Sequence, residues 1–136
     1  MTASETIHAY YDAFNQQRPE AMLELLTEDV VHDANEGGSE TGKDAFGTFL
    51  GRMADHYQES VEDLEVMANA AGSRAAAEFF IRGTYLKTDG DLPEAEGQKY
   101  HLRVGAFFEL RDGRISRVTN YYNLRAWVGM VAGQAD

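Results

Sequence analysis

The first part of the chain carries apolar residues at helical spacing. One face of the first segment has apolar residues at positions i, i+3, i+4 and i+7, namely Ile7, Tyr10, Tyr11 and Phe14. Thr2 and Glu5 are spaced as a capping box, which predicts that this helix begins at the Thr2 cap. Pro19 suits the first turn of a second, shorter helix, whose apolar residues are Met22, Leu25 and Leu26. The pattern therefore predicts a helical hairpin at the start of the chain.

The next segment predicts a short strand, a turn and a third helix. The β-branched start of 30–34 indicates a strand, and the run 35–38 that follows it has the composition of a turn. Helical spacing returns between Gly42 and Tyr57, with Thr41 or Gly42 available as the cap. The apolar residues of this third helix are Phe46, Phe49, Leu50, Met53 and Tyr57.

After the third helix the hydrophobic period changes to two. Alternating residues predict strands over 64–68 and 74–86. The polar run 87–97 has no period, so we expect a solvated loop there. Gly83 and Gly105 lie inside predicted strands, where a missing side chain favours a bulge or a bend.

The last third of the chain contains the clearest hairpin. Its strands are 100–110 and 114–122, joined at Asp112 and Gly113, a pair suited to positive φ in a tight turn. A final helix follows, with apolar residues at helical spacing, namely Leu124, Trp127, Val128 and Val131.

This order of elements predicts an α+β fold in which helices collect on one face of a strongly curved antiparallel or mixed sheet. Such a cone leaves a mostly apolar pocket at its open end, where a ligand is expected. The chain has 136 residues, of which 43% are hydrophobic, and we therefore expect one domain over 1–133 and a polar tail over 134–136.

Composition excludes several kinds of partner and cofactor. Lys and Arg total 12 against 23 Asp and Glu, and the formal charge of −11 would repel nucleic acid and anionic membrane surfaces. The start of the sequence lacks the pattern of a leader peptide, so we expect a cytoplasmic protein. Without cysteine, with four scattered histidines and with no glycine-rich phosphate loop, the sequence predicts no metal site and no cofactor.

Two segments carry a resemblance to a known family. The motif EDVVHDANEGG and the run GAFFELRDGRISRVTNYYNLRAW resemble the NTF2-like superfamily, and within it the SnoaL-like and ketosteroid-isomerase-related proteins. The resemblance covers nearly the whole chain and implies an NTF2-like cone. It constrains function less, because this superfamily includes isomerases, epoxide hydrolases, polyketide cyclases and non-catalytic adaptors.

The resemblance to ketosteroid isomerases implies a candidate catalytic pair. Asp33 falls where the family has its general base, and Tyr10 falls where it has the tyrosine that stabilises the oxyanion. The second acid of that oxyanion site has no counterpart, because Ala106 stands at its position. The epoxide hydrolases of this superfamily need an Asp, an Arg and a second Asp. At these three positions the present sequence has Phe79, Ile81 and Asn120. The epoxide hydrolase mechanism is therefore excluded.

Elementary chemistry leaves alternatives for these residues. In a half-buried strand, desolvation would raise the pKa of Asp33 toward that of a useful base, whereas the alternative is that Asp33 caps the turn or pairs with an arginine. If Asp33 faces inward, His32 faces out. Tyr10 is either a core residue or an oxyanion donor, Asn120 either orients a ligand carbonyl or bonds its own backbone, and Trp127 packs as core or as a pocket lid.

Strand alternation, with Asp33, Ala106 and Asn120 placed inside, defines the expected pocket. Its ligand-binding residues are Phe79, Ile81, Tyr85, Val104, Ala106, Phe108, Asn120, Tyr122 and Trp127. We expect a small apolar ligand, and an apolar carbonyl compound if Asp33 acts as the general base of a cofactor-independent isomerase or cyclase. The alternative is a non-catalytic module for ligand binding or dimerisation.

The outer face of the sheet is the expected interface of a homodimer. Aromatic and charged residues alternate there, as they do in interface centres and rims. These residues are Phe80, Arg82, His101, Arg103, Phe107 and Glu109.

Overall fold

The computed structural model describes residues 1–133, in which helices accompany a six-stranded sheet. The helices are α1 (Ala3–Asn15), α2 (Pro19–Leu23), α3 (Lys43–His56) and α4 (Leu124–Ala132). The strands are β1 (Leu26–Asp33), β2 (Ser39–Thr41), β3 (Tyr57–Ala68), β4 (Arg74–Tyr85), β5 (Lys99–Arg111) and β6 (Arg114–Tyr122). Their order across the sheet is β2-β1-β6-β5-β4-β3, and β1 runs parallel to β6 while the other neighbours are antiparallel. The α+β fold is confirmed, with a mixed sheet, and the expected tail over 134–136 lies outside the described residues.

The first helix is fixed at both ends. Its capping box is present: the Thr2 amide donates to Glu5 Oε1 at 2.7 Å, and the Glu5 amide donates to Thr2 Oγ1 at 3.1 Å. At the other end, the Asn15 side chain donates to the Val61 carbonyl at 3.0 Å and accepts from the Val61 amide at 2.7 Å. Helix α1 is therefore tied to strand β3 by its last residue.

The apolar face of α1 packs on the inner face of the sheet. The ring of Tyr11 lies 4.8 Å from that of Phe79, and the ring of Tyr10 lies 5.8 Å from that of Phe108. Each large side chain buried in this way stabilises the fold by about 1.5–3 kcal/mol. This contact positions one wall of the cavity described below.

Within residues 1–133, no helix is long and apolar enough to cross a membrane.

Two predicted element boundaries are wrong. Helix α2 ends at Leu23, and Leu26 instead begins β1, where it is fully buried and lies opposite Ile115 of β6. Helix α3 ends at His56, so Tyr57 belongs to β3. In both cases pairing within the sheet outweighs the local helical spacing. A short strand, β2, was also missed, because its exposed polar residues carry no hydrophobic signal.

The sequence predicts a bulge or a bend at Gly83 and Gly105, and neither glycine marks a bulge. The pairing of β4 with β5 is continuous through Gly83 and Gly105, and the irregularity of β3 falls between Glu62 and Glu65. Asp63, which lies within that bulge, has a φ of 54°. The β5–β6 turn is confirmed at the expected place, with positive φ at both of its central residues, Asp112 and Gly113.

Candidate functional site

A mainly apolar cavity of about 340 Å³ lies between the helices and the inner face of the sheet. Its walls come from α1, α3, the start of α4, the end of β1 and strands β3 to β6, and the loop after β4 contributes Asp89 and Leu92. Its size is that of a small organic ligand.

Most of the residues predicted to surround the pocket do line this cavity. They are Tyr10, Phe79, Ile81, Val104, Asn120, Tyr122 and Trp127. Three others are core residues that do not reach it. Phe108 packs beneath Tyr10, Ala106 is fully buried, and Tyr85 is stacked on Tyr57 with its hydroxyl donating to the Pro93 carbonyl at 2.6 Å.

Asp33 does not face the cavity. Its carboxylate lies on the outer face of the sheet, where Arg117 Nε donates to Oδ2 at 2.7 Å and Thr119 Oγ1 donates to the same oxygen at 2.7 Å. These two hydrogen bonds lower the pKa of Asp33 from 3.8 to about 2. The inward orientation and the raised pKa expected from the sequence are therefore wrong, and the alternative, pairing with an arginine, is what the structure shows.

His32 takes the inward position instead. Alternation along β1 places Val30 and His32 inside, and both are buried. The imidazole of His32 lies between two aromatic side chains of α3, with ring centroids 5.0 Å from Phe46 and 4.3 Å from Phe49. Burial lowers the pKa of His32, so the ring is neutral near pH 7.

Glu59 of β3 places a carboxyl group at the cavity that the sequence did not reveal. The Tyr100 hydroxyl donates to Glu59 Oε2 at 2.5 Å. Desolvation raises the pKa of Glu59, and the hydrogen bond from Tyr100 opposes this rise without cancelling it. Among the ion pairs within residues 1–133, none includes Glu59.

Glycine at position 83 permits the contact between Glu59 and Tyr100. The three residues lie side by side on β3, β4 and β5, because Gly83 pairs with Glu59 on one side and with Tyr100 on the other. The Tyr100 ring crosses Gly83 at the place that a Cβ atom would occupy. A side chain on residue 83 would therefore push the ring away from Glu59.

A second carboxylate at the cavity, that of Asp89, is neutralised. The Tyr57 hydroxyl donates to Asp89 Oδ2 at 2.6 Å, and Arg52 forms an ion pair with Oδ1. The Asp89 side chain is only 12% exposed, so the loop after β4 is not simply solvated as expected. In addition, its backbone amide donates to the Tyr85 hydroxyl at 3.0 Å. These contacts fix the loop at the cavity.

The site residues were missed for a structural reason. Predicting that α3 included Tyr57 and that the next strand began at residue 64 left Glu59 outside any element. The bulge in β3 then reverses its alternation: Tyr57, Glu59 and Val61 line the cavity, whereas beyond the bulge Leu64 and Val66 are packed against the core. Glu59 would have been predicted to face the cavity if a strand had been assigned directly after α3, since Glu59 alternates with Tyr57 and Val61. For His32 no signal was decisive, because alternation with Val30 places His32 inside, whereas alternation with Val31 places Asp33 inside.

The described part of the chain contains no group of three or more His, Asp or Glu side chains placed to hold a metal ion. Helices over the inner face of a six-stranded mixed sheet, enclosing an apolar cavity with a few polar groups, define the class of proteins with the NTF2-like fold.

Within this class, the chain belongs to the SnoaL-like domain family, which matches residues 7–118. A solved structure from Pseudomonas putida KT2440 is 53% identical over 96% of this chain and 98% of its own, with a TM-score of 0.95. One from Xanthomonas campestris pv. campestris is 51% identical over 95% of this chain and 96% of its own, with a TM-score of 0.92. Both are provisionally named polyketide cyclases.

More distant structures share the fold alone. An NTF2-like protein from Burkholderia pseudomallei K96243 is 15% identical over 96% of this chain and 98% of its own, with a TM-score of 0.75. No protein with a curated description matches the chain. The resemblance identified from the sequence motifs is confirmed at the level of family and fold.

Proposed function

We propose that the protein is a cofactor-independent isomerase or cyclase that removes a proton from the carbon next to a carbonyl group, with Glu59 as the general base. The observation that carries this proposal is the environment of Glu59: its carboxyl group faces an apolar cavity, is held by Tyr100 at 2.5 Å and has a raised pKa. A base is most effective when its pKa approaches the working pH.

The other carboxylates near the sheet are less suited to this role. Asp33 lies on the opposite face, and its pKa of about 2 makes it a weak base. Asp89 lines the cavity, but its negative charge is paired with Arg52. Glu59 is thus the carboxylate of the cavity that combines desolvation with freedom from a cationic partner.

The proposed step is balanced within the substrate. Glu59 takes the proton, and the electron pair of the C–H bond moves into the C–C bond as the carbonyl becomes an enolate. In an isomerase, Glu59 returns the proton to another carbon. In a cyclase, the enolate carbon attacks a second carbonyl carbon of the same molecule, and Glu59 returns the proton to the alkoxide oxygen that this attack forms. The names of the two similar solved structures support the cyclase form, since an aldol-type ring closure begins with this proton removal.

Tyr10 is the proposed donor to the enolate oxygen, as the resemblance implies. It is 5% exposed and lines the cavity, and its hydroxyl takes part in none of the hydrogen bonds within residues 1–133. Desolvation raises its pKa, which keeps the hydroxyl protonated and able to donate.

The test is proton exchange at the carbon next to a carbonyl. We expect the wild-type protein in D₂O to accelerate deuterium incorporation into cyclohex-3-en-1-one, a β,γ-unsaturated ketone, measured by proton NMR. Glu59→Gln keeps the size of the side chain and removes its basicity, so the rate should fall by about 10²-fold or more. Glu62→Gln is the matched control, because Glu62 lies on the same strand but pairs with Arg82 on the outer face.

Asp33→Asn separates this proposal from the one based on resemblance alone. An exchange rate that depends on Asp33 and not on Glu59 would contradict the assignment of the base. If the wild-type protein causes no exchange above that in buffer, the remaining alternative is a non-catalytic ligand-binding module.

A further inference from the structure

His32 is a buried residue whose ring has no hydrogen-bonding partner among residues 1–133. It is 5% exposed, and no hydrogen bond within residues 1–133 involves its ring. Its close contacts are the aromatic rings of Phe46 and Phe49, which offer no conventional acceptor. The ring nitrogens of His32 are not among the fully buried unpaired atoms, so they open onto the cavity that the residue lines, where a ligand can supply the missing partner.

A second unpaired donor lies three residues further along. Asn35 Oδ1 accepts a hydrogen bond from the Tyr122 amide at 3.0 Å, which fixes the side-chain amide at the end of β6. Its Nδ2 atom is buried and has no hydrogen-bond partner among the described residues. Both His32 and Asn35 line the same cavity.

The charges around the cavity disfavour an anionic ligand. Glu36, Glu59 and Asp89 line it, whereas Arg52 is the cationic side chain among the lining residues and is already paired with Asp89. The imidazole of His32 is neutral because burial outweighs the opposite influence of Glu40 and Asp33. A carboxylate or phosphate would meet net negative charge without a free cation.

We infer that His32 and Asn35 form a binding subsite for an uncharged carbonyl oxygen of the ligand. A neutral imidazole and an amide nitrogen each donate one N–H, and a carbonyl oxygen has two lone pairs to accept them. Phe46 and Phe49 give the surroundings of this oxygen an apolar, aromatic character. The inference rests on the proposed function only in assigning the cavity to a ligand, because binding at this subsite does not require Glu59 to act as a base.

The experiment compares two ligands that differ by one oxygen. Fluorenone and fluorene have nearly the same shape, and only fluorenone has a carbonyl group. The ratio of their dissociation constants is measured for the wild-type protein and for His32→Phe, which preserves the ring packing and removes both nitrogens. We expect the preference for fluorenone to fall by about two- to tenfold, the effect of one hydrogen bond. His101→Phe is the matched control, since His101 stacks on Phe80 at the outer face and should leave the ratio unchanged.

Infrared spectroscopy provides a readout that a purely structural role would not alter. Hydrogen bonding lowers the C=O stretching frequency of bound fluorenone, and this shift should diminish in His32→Phe and return in part in His32→Gln, whose amide can donate. An unchanged ratio and an unchanged band in His32→Phe would overturn the inference, as would failure of the wild-type protein to bind either compound. Loss of proton exchange in Glu59→Gln with the fluorenone preference intact would separate this subsite from the proposed catalytic step.

Discussion

Asp33 carries its negative charge where Arg117 and Thr119 together donate three hydrogen bonds to it. Glu59 has the same functional group, but it lies at an apolar cavity and accepts one hydrogen bond, from the Tyr100 hydroxyl. The pKa of Asp33 is lowered and that of Glu59 is raised, because hydrogen bonds stabilise the charged form in the first case and desolvation penalises it in the second. Environment, and not residue type, decides which carboxylate suits proton transfer.

The ion pair of Asp33 should contribute to acid stability. The folded state lowers its pKa from 3.8 to about 2, so the unfolded state binds the proton more readily between these values. The stabilisation is complete above about pH 4 and is lost as the pH falls toward 2. Asp33→Asn should lower the free energy of unfolding by about 1–2 kcal/mol at pH 7, since Arg117 is partly solvated.

Urea denaturation at several pH values would measure this effect. Asp12→Asn, which removes an exposed carboxylate of α1, serves as the control. If Asp33→Asn and the wild-type protein differ by the same amount at pH 2 as at pH 7, the ion pair does not act as described.

Sequence patterns predicted the strands of the sheet unevenly. In β4 and β5 the alternation is unbroken, and the predicted inward residues, such as Phe79 and Val104, do face inward. Strand β1 has two valines at its centre, so alternation alone did not decide between His32 and Asp33, and the position taken from the resemblance was wrong. Strand β3 reverses its phase at the bulge, which a residue-by-residue period cannot foresee.

The Tyr100 ring passes over Gly83 of β4 to reach Glu59 of β3, and this arrangement predicts that Gly83→Ala alters the pKa of Glu59. A Cβ atom there would overlap the Tyr100 ring and displace its hydroxyl from Glu59. Because that hydrogen bond lowers the pKa of Glu59, its loss should raise the pKa further, shift the pH profile of proton exchange to higher pH and reduce the rate at pH 7. Tyr100→Phe should shift the profile in the same direction.

Gly105→Ala is the matched control for this prediction. A Cβ atom on Gly105 meets no atom within 4 Å, and the residue lies in the adjacent strand. Equal pH profiles for Gly83→Ala and the wild-type protein would show that Tyr100 does not tune Glu59.

At the scale of the whole molecule, the outer face of the sheet differs from the rest of a strongly acidic protein. Its charges are largely paired, as in the ion pairs of Arg82 with Glu62 and of Arg103 with Glu78. Phe107 and Tyr121 are 53% and 59% exposed there, with ring centroids 5.8 Å apart. A surface that is locally neutral and carries exposed aromatic rings can approach a second copy of itself despite the net charge of −11.

We therefore expect a homodimer through this face. Light scattering should give twice the chain mass of 15.1 kDa at micromolar concentration. Phe107→Asp should shift the mass toward that of the monomer, because it places a carboxylate at the centre of the apolar contact. Lys99→Gln, at the edge of the face, should leave the dimer intact, and a monomeric wild-type protein would contradict the prediction.

The parallel pairing of β1 with β6 has a consequence for the time course of folding. Val31, His32 and Asp33 lie opposite Arg117, Val118 and Thr119, so one edge of the first strand pairs with the last strand, while its other edge pairs with the short strand β2. Contacts between such distant segments slow folding, because a long loop must close before they form. During synthesis, β1 can pair with β6 only after residues 114–122 have left the ribosome. The pairing of β1, which carries His32, with β6 should therefore form after the β3–β4–β5 part of the sheet, which carries Glu59. The ligand-binding cavity would then be complete only in the last step of folding.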